Sequence, residues 1–336
     1  MKKALLIFAS LVTGVISIAQ QDPQFTVSQF QNLVYQNPAM AGSNDAICGM
    51  LVGRQQWVGF GEEPRTFLFS TDAAFKDPWL GKQHGAGLTV LSDGLGQENT
   101  FIAKLAYAYR MKAGAGMLSA GVGLGYISKT IGSDWNPGDP GWDPSIPYNG
   151  ITDGGFDFDF GLFYKIPKKL YVGLSATHLT ATQLEKDFNI DLPGPGGNPI
   201  TQEGVFNYRI DRTIYFTAGY QTQVFNPDWQ IKPAVLIKSN IVSTSIDLAA
   251  VMEYREKFWG GLDYRFNDAI ALMLGANFQM KGQNFGGGLL KVGYSYDYTL
   301  SEINQYSSGS HEIFVHYCFR LTPKIIREKH RTVRFL

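Results

Sequence analysis

Of the 336 residues only 17% are charged, against about 25% in soluble domains, while 38 are Gly and 14% are aromatic. The formal net charge is zero, so there is no basic field and no nucleic-acid partner is expected. Beyond the N-terminal run no stretch approaches the ~18 apolar residues of a membrane helix. If the mature chain spans a bilayer it does so as a closed barrel.

Lys2 and Lys3 precede an apolar run over residues 4–18 and the small-residue site Ser17-Ile18-Ala19. This reads as a signal peptide, residues 1–19, removed after Ala19. Residues 20–45 are polar and irregular, with Asp22-Pro23 and Asn37-Pro38 as turn punctuation, and too short for a domain. They are expected to form either a plug in the lumen or a periplasmic tether.

From residue 46 to 321 the pattern has a period of two. The clearest stretch is 155–166, where Phe156, Phe158, Phe160, Leu162, Tyr164 and Ile166 share one parity and Asp157, Asp159, Gly161 and Lys165 the other. Strands are expected at 46–55, 65–75, 85–91, 100–112, 116–128, 155–166 and 169–180. Seven more follow at 212–222, 229–240, 245–255, 257–266, 269–280, 287–298 and 311–321. The strand at 229–240 is the least regular, because Pro233 removes a ladder donor.

Connections after even strands are short, while several after odd strands are longer: 56–64, 129–154, 181–211 and 299–310. A soluble sandwich has no reason to sort loops in this way. Fourteen antiparallel strands with short periplasmic turns and long extracellular loops spell a transmembrane β-barrel in the outer membrane of a Gram-negative bacterium.

The parity assigns faces. Toward lipid, aromatics crowd two levels: Tyr107, Tyr109, Tyr164, Tyr220, Tyr254, Phe258 and Phe319 below, Tyr126, Phe156, Tyr294, Tyr296 and Tyr298 above. Inward come Lys104, Arg110, Asp157, Asp159, Asp247, Glu253, Arg255, Lys291, Asp297, Glu312 and Arg320. The strand between the first four offers only Gly121, Gly123 and Gly125 inward. Lys104 or Arg110 is therefore expected to reach across it to Asp157 or Asp159, two strand spacings or ~10 Å away. Cys48 and Cys318 fall near the periplasmic ends of the first and last strands, which barrel closure makes neighbours. A seam disulfide and two unlinked thiols are both open. The tail, 322–336, is basic, and a solvated tail is favoured over a docking element.

Enzymatic signatures fail. His311-Glu312-x-x-x-His316 is one residue too long for a zincin motif, and on a strand its two His diverge. There is no Gly-x-Ser-x-Gly elbow, and the five His suggest no triad. Asp134, Asp139, Asp143 and Asp153 match no Ca²⁺ loop. Trp135 and Trp142 suit a packed or partner-binding surface. No catalytic, cofactor or metal site is expected.

Two stretches resemble the PorP/SprF family, outer-membrane proteins of the type IX secretion system. The first is Asp22-Pro23-Gln24-Phe25-Thr26, then Gln29, Asn32, Asn37-Pro38-Ala39 and Ala41-Gly42. The second is residues 292–299, Val-Gly-Tyr-Ser-Tyr-Asp-Tyr-Thr, followed by Ser310-His311-Glu312-Ile313. Val34-Tyr35-Gln36 departs from the pair expected before Asn-Pro. The resemblance implies a non-enzymatic barrel that serves protein export, surface display and gliding adhesins. Its implied partners are the C-terminal domains of secreted cargo proteins, other secretion or motor components and the lipid bilayer. The expected partner surface is the outer loops, with Asp134, Trp135, Trp142, Asp143, Tyr306, His311 and Glu312. Gln29, Asn32, Asn37, Pro38 and Gly42 mark the N-terminal segment. The alternative is a passive porin or a hydrophobic-solute transporter.

Overall fold

The computed structural model describes residues 23–27, 33–77, 83–133, 150–193, 199–240, 242–280 and 287–319. The strands in chain order are β1 (Ile47–Gln55), β2 (Arg65–Lys76), β3 (Gln83–Leu95), β4 (Glu98–Ala113), β5 (Gly116–Ile131) and β6 (Ile151–Ile166). Next come β7 (Leu170–Thr177), β8 (Gln183–Pro193), β9 (Pro199–Arg209), β10 (Thr213–Tyr220), β11 (Thr222–Val224) and β12 (Asn226–Asn240). The last are β13 (Thr244–Tyr254), β14 (Phe258–Arg265), β15 (Ala269–Met280), β16 (Gly288–Thr299) and β17 (Ser310–Phe319).

All barrel neighbours pair antiparallel. β1 meets β17, and β10 bridges β7 and β12, so the sheet closes on itself. β10 and β11 are one barrel strand interrupted at Gln221, which makes fourteen strands in the wall. Pro233 accounts for the interruption. The ladder to β12 stops at Gly219–Ala234 and resumes at Thr222–Ile231, flanking the residue that has no N–H to give. Gln221 N donates to Lys169 O at 2.7 Å instead.

Faces follow parity. On β6, Phe156 is 67% exposed and Asp157 only 1%, the inverse of a soluble protein and the arrangement a lipid surround selects. Aromatic rings gather on the outer wall, with His84 stacked on Phe75 at 5.4 Å and Tyr126 edge-on to Phe156 at 5.6 Å. Arg255 is a correction to the inward set. β13 ends at Tyr254, and Arg255 sits in a turn at φ 50°, exposed and paired with Asp228 at 3.1 Å. Arg320 lies outside the described residues.

The outer end carries connections 56–64, 132–150, 178–212 and 300–309, although 96–97, 241–243 and 266–268 are as brief as the periplasmic turns. Within 178–212 the expected loop is a hairpin, β8 on β9, which pair from Gln183–Arg209 to Pro193–Pro199. Its charged residues blur the alternation that would have marked it as strand. At the other end Cys48 and Cys318 stand directly opposite in the β1–β17 register and are disulfide-bonded, Cα to Cα 4.1 Å. The bridge closes the seam covalently.

Candidate functional site

β1, β16 and β17 adjoin at that seam, and their inward residues converge. Arg54 faces Glu312 across the register, and Asp297 lies on the next strand. Arg54 Nη2 is 2.7 Å from Asp297 Oδ2, and Nη1 is 3.3 Å from Glu312 Oε2. Arg265 on β14 extends the network to Asp247 at 3.4 Å, Asp268 at 3.0 Å and Asp297 at 3.6 Å. All are nearly fully buried except Asp268, which is partly exposed. Buried charges persist only with partners and hydrogen bonds that offset desolvation.

Some of those bonds come from the N-terminal segment. Thr26 N and Val27 N donate to the two oxygens of Glu312 at 3.0 and 2.8 Å, and Thr26 Oγ1 donates to Asp297 at 3.1 Å. Arg265 Nη1 reaches Gln24 Oε1 at 3.0 Å. The first signature stretch is thus clasped by Asp297 and Glu312 of the second. Glu312 must be corrected as an outer-surface candidate, since its even parity on β17 turns it inward and leaves it 2% exposed. Gln29 and Asn32 lie outside the described residues.

Residues 33–45 are held by a different device. Asn37 Oδ1 caps a single 3₁₀ turn, Pro38–Met40, by accepting from Ala39 N at 2.9 Å, while Nδ2 donates to Leu162 O at 3.1 Å. The turn presses on bare backbone in the wall. A Cβ on Gly85 would overlap the Ala41 carbonyl, one on Gly121 the backbone of Ala39, and one on Gly161 the Asn37 side chain. Gly42 takes φ 71° to turn toward β1, and its N–H donates to Asp72 Oδ2 at 2.8 Å. Beyond it Asp45 pairs with Arg110 at 2.8 Å.

Above this turn an apolar cluster shares the lumen with the seam charges. Phe25, Val27, Leu33 and Tyr35 pack with Leu68, Leu91, Ile102 and Ile127 of the wall and with Leu184, Phe206 and Ile210 of the hairpin region. Beside them Lys104 crosses β5 to Asp159 at 2.8 Å and comes within 4.0 Å of Asp157. The expected bridge therefore exists, and Lys104 rather than Arg110 makes it. Its stem needs the space over Gly125, where a Cβ would come 3.0 Å from Lys104 Cγ. His178 Nδ1 donates to Asp157 at 2.7 Å. Asp157, Asp159 and His178 converge closely enough to hold a cation, but the Lys104 ammonium already occupies that role, so this is a salt-bridge cluster.

On the outside, Tyr306 is 69% exposed beside the short turn Glu302–Gln305. His311 lies on the outer face against Tyr294 and Tyr296, with Nδ1 2.6 Å from the Tyr294 hydroxyl. His316 points inward, so the two His diverge as a strand requires. Asp134, Trp135, Trp142 and Asp143 lie outside the described residues. Outside the lumen, Glu63 at the rim accepts from Arg65 at 2.8 Å and Gln55 at 2.6 Å, which holds its carboxyl below the usual range.

A closed antiparallel barrel with lipid-facing aromatics, buried luminal ions and its own N-terminal segment against the inner wall defines an outer-membrane β-barrel protein. The sequence matches the family described as type IX secretion system membrane protein PorP/SprF over residues 17–317, and the chain belongs to that family. No curated protein matches it significantly. Among solved structures it is similar to the toluene transporter TbuX of Ralstonia pickettii, at 12% identity and TM-score 0.52, covering 86% of this chain and 93% of that one. It is also similar to the monoaromatic hydrocarbon channel CymD, at 10% identity and TM-score 0.53, covering 89% and 94%. A FadL homologue of Pseudomonas aeruginosa gives 10% identity and TM-score 0.50, covering 90% and 95%. At such identities these likenesses concern the fold alone.

Proposed function

We propose that this protein is a non-enzymatic docking barrel of the type IX secretion system, which holds exported surface proteins by their C-terminal domains at its outer loops. The observation that carries this reading is that the chain itself occupies the outer half of the lumen. A barrel filled in this way offers partners its rims and loops rather than a conduit. The docking surface is the loop 132–150, the hairpin β8–β9 and the loop 300–309 with Tyr306. Residues 33–45 act as a resident plug. Other secretion or motor components meet the periplasmic rim.

The test is to replace residues 134–149 with a Gly/Ser linker and, separately, to change Tyr306→Ala, then to measure cargo on the cell surface by protease accessibility. Retention of the heat-resistant compact form on gels reports barrel assembly. Display should fall while assembly stays intact, and unchanged display in both variants removes the loops from the reading. The toluene transporter and the hydrocarbon channel among its solved neighbours make solute passage the competing use of this fold. Planar-bilayer recording separates the two, because a plugged barrel is closed and a large steady conductance belongs to a porin.

A further inference from the structure

Below the plug the lumen is neither filled nor neutral. A cavity of about 690 Å³ opens among the periplasmic ends of the strands, roofed by residues 43–46 and bounded by Lys165, Lys232, Trp259, Lys291 and His316. That volume lies within the ~300–1,000 Å³ of small-molecule sites.

Its charges are unevenly matched. Lys232 is paired with Glu253 at 2.7 Å, and Glu256 is taken by the exposed Lys168 at 3.1 Å. Among the described residues Lys165 hydrogen-bonds only neutral acceptors, Ser43 O at 3.3 Å and Asn44 Oδ1 at 3.0 Å, with Asp45 and Asp72 acting on it from farther away. Lys291 makes no hydrogen bond or ion pair among the described residues. His316, 7% exposed, has Nδ1 buried with no hydrogen-bond partner among the described residues, while its Nε2 lies 3.3 Å from Cys318 Sγ. The contrast with the seam network lies in direct pairing, because Arg54 and Arg265 each touch a carboxylate there. Lys165 and Lys291 are half-buried and turn two ammonium groups into one accessible space with no ion pair to either among the described residues, so the wall there is complementary to anionic oxygen.

We propose that this cavity binds a small soluble polyanion, one bearing phosphoryl or carboxylate groups, which enters from the periplasm. Lys165 and Lys291 hold the anionic oxygens, and Trp259 gives an apolar edge to the body of the ligand. The barrel wall separates the cavity from lipid, so the ligand is a dissolved species and not a membrane headgroup. The site is independent of cargo docking at the other end of the molecule.

Titration calorimetry of the full-length barrel in detergent tests it, with inorganic pyrophosphate and citrate as the two probes. Saturable one-to-one binding of at least one probe is expected at neutral pH and 0.15 M salt, and which one binds tells phosphoryl from carboxylate. Lys291→Met and Lys165→Gln should each weaken binding roughly ten-fold or more, while Arg65→Gln at the outer rim leaves it unchanged. Lys291→Met removes an unpaired cation, so the variant barrel should melt no lower than the wild type. The probe should raise the melting temperature of the wild type but not of this variant. Absence of saturable binding for both probes overturns the proposal, as does equal binding by Lys291→Met. Binding that vanishes at 0.15 M salt overturns it as well, since that is diffuse charge attraction.

Discussion

The two parts of the N-terminal segment are gripped by opposite physics. Gln24–Val27 is held by charge, with Glu312 and Asp297 receiving its N–H and hydroxyl groups and Arg54 and Arg265 balancing them. Residues 37–42 are held by shape, through backbone against backbone where Gly85 and Gly121 leave room. The charged clasp is strong but conditional, since removing one member strands the others in a low-dielectric interior. The glycine cradle has little to lose electrostatically but tolerates no added atom. A plug fixed in both ways is tied at two points that can be released separately.

The largest effect should come from Arg54→Ala, which leaves Asp297 and Glu312 facing each other without their shared cation. Breaking a buried pair from one side costs about 3–5 kcal/mol. Hydrogen exchange should show the Thr26 and Val27 amides losing protection while Met40 and Gly42 keep theirs. Equal loss at both sites means that the segment is released as one unit. Next, Gly121→Ala places a methyl group on the backbone of Ala39, an overpacking that costs about 1–3 kcal/mol. Here the order should reverse, with Met40 and Gly42 exchanging faster than Val27. The smallest effect belongs to the rim. Arg65, and then Gln55, hold the Glu63 carboxyl below its ordinary value, so that contribution is complete above the ordinary carboxylate range and fades as pH falls through the lowered value. Because Glu63 lies at the rim and bonds only Arg65 and Gln55, acidification should move neither half of the plug through it, and Arg65→Ala should leave both exchange patterns as in the wild type. A shift in either pattern on Arg65→Ala means that the rim and the lumen are coupled.

Much of this was legible before any coordinates. Period-two alternation and sorted loop lengths specify a barrel and its two faces, because a strand in lipid has to alternate and each strand carries that requirement itself. Three glycines on the intervening strand led to a bridge from Lys104 or Arg110 to Asp157 or Asp159, and the structure chose Lys104 and Asp159. The hairpin at 183–209 was harder, since exposed charges mask its alternation. Arg255 turned outward because a tight turn, not parity, sets its direction.

What the sequence by itself determined is local and repetitive: fourteen strands, which face meets lipid, and where the chain turns. Only the tertiary structure decided what fills the cylinder. Thr26 and Glu312 are 286 positions apart, and no periodicity relates them. Closure of the sheet brings β1, β16 and β17 together, so that Glu312, inward by parity, receives the backbone of Thr26 and Val27. Pairing across such a distance depends on the circumference of the closed barrel, a property that no single segment carries.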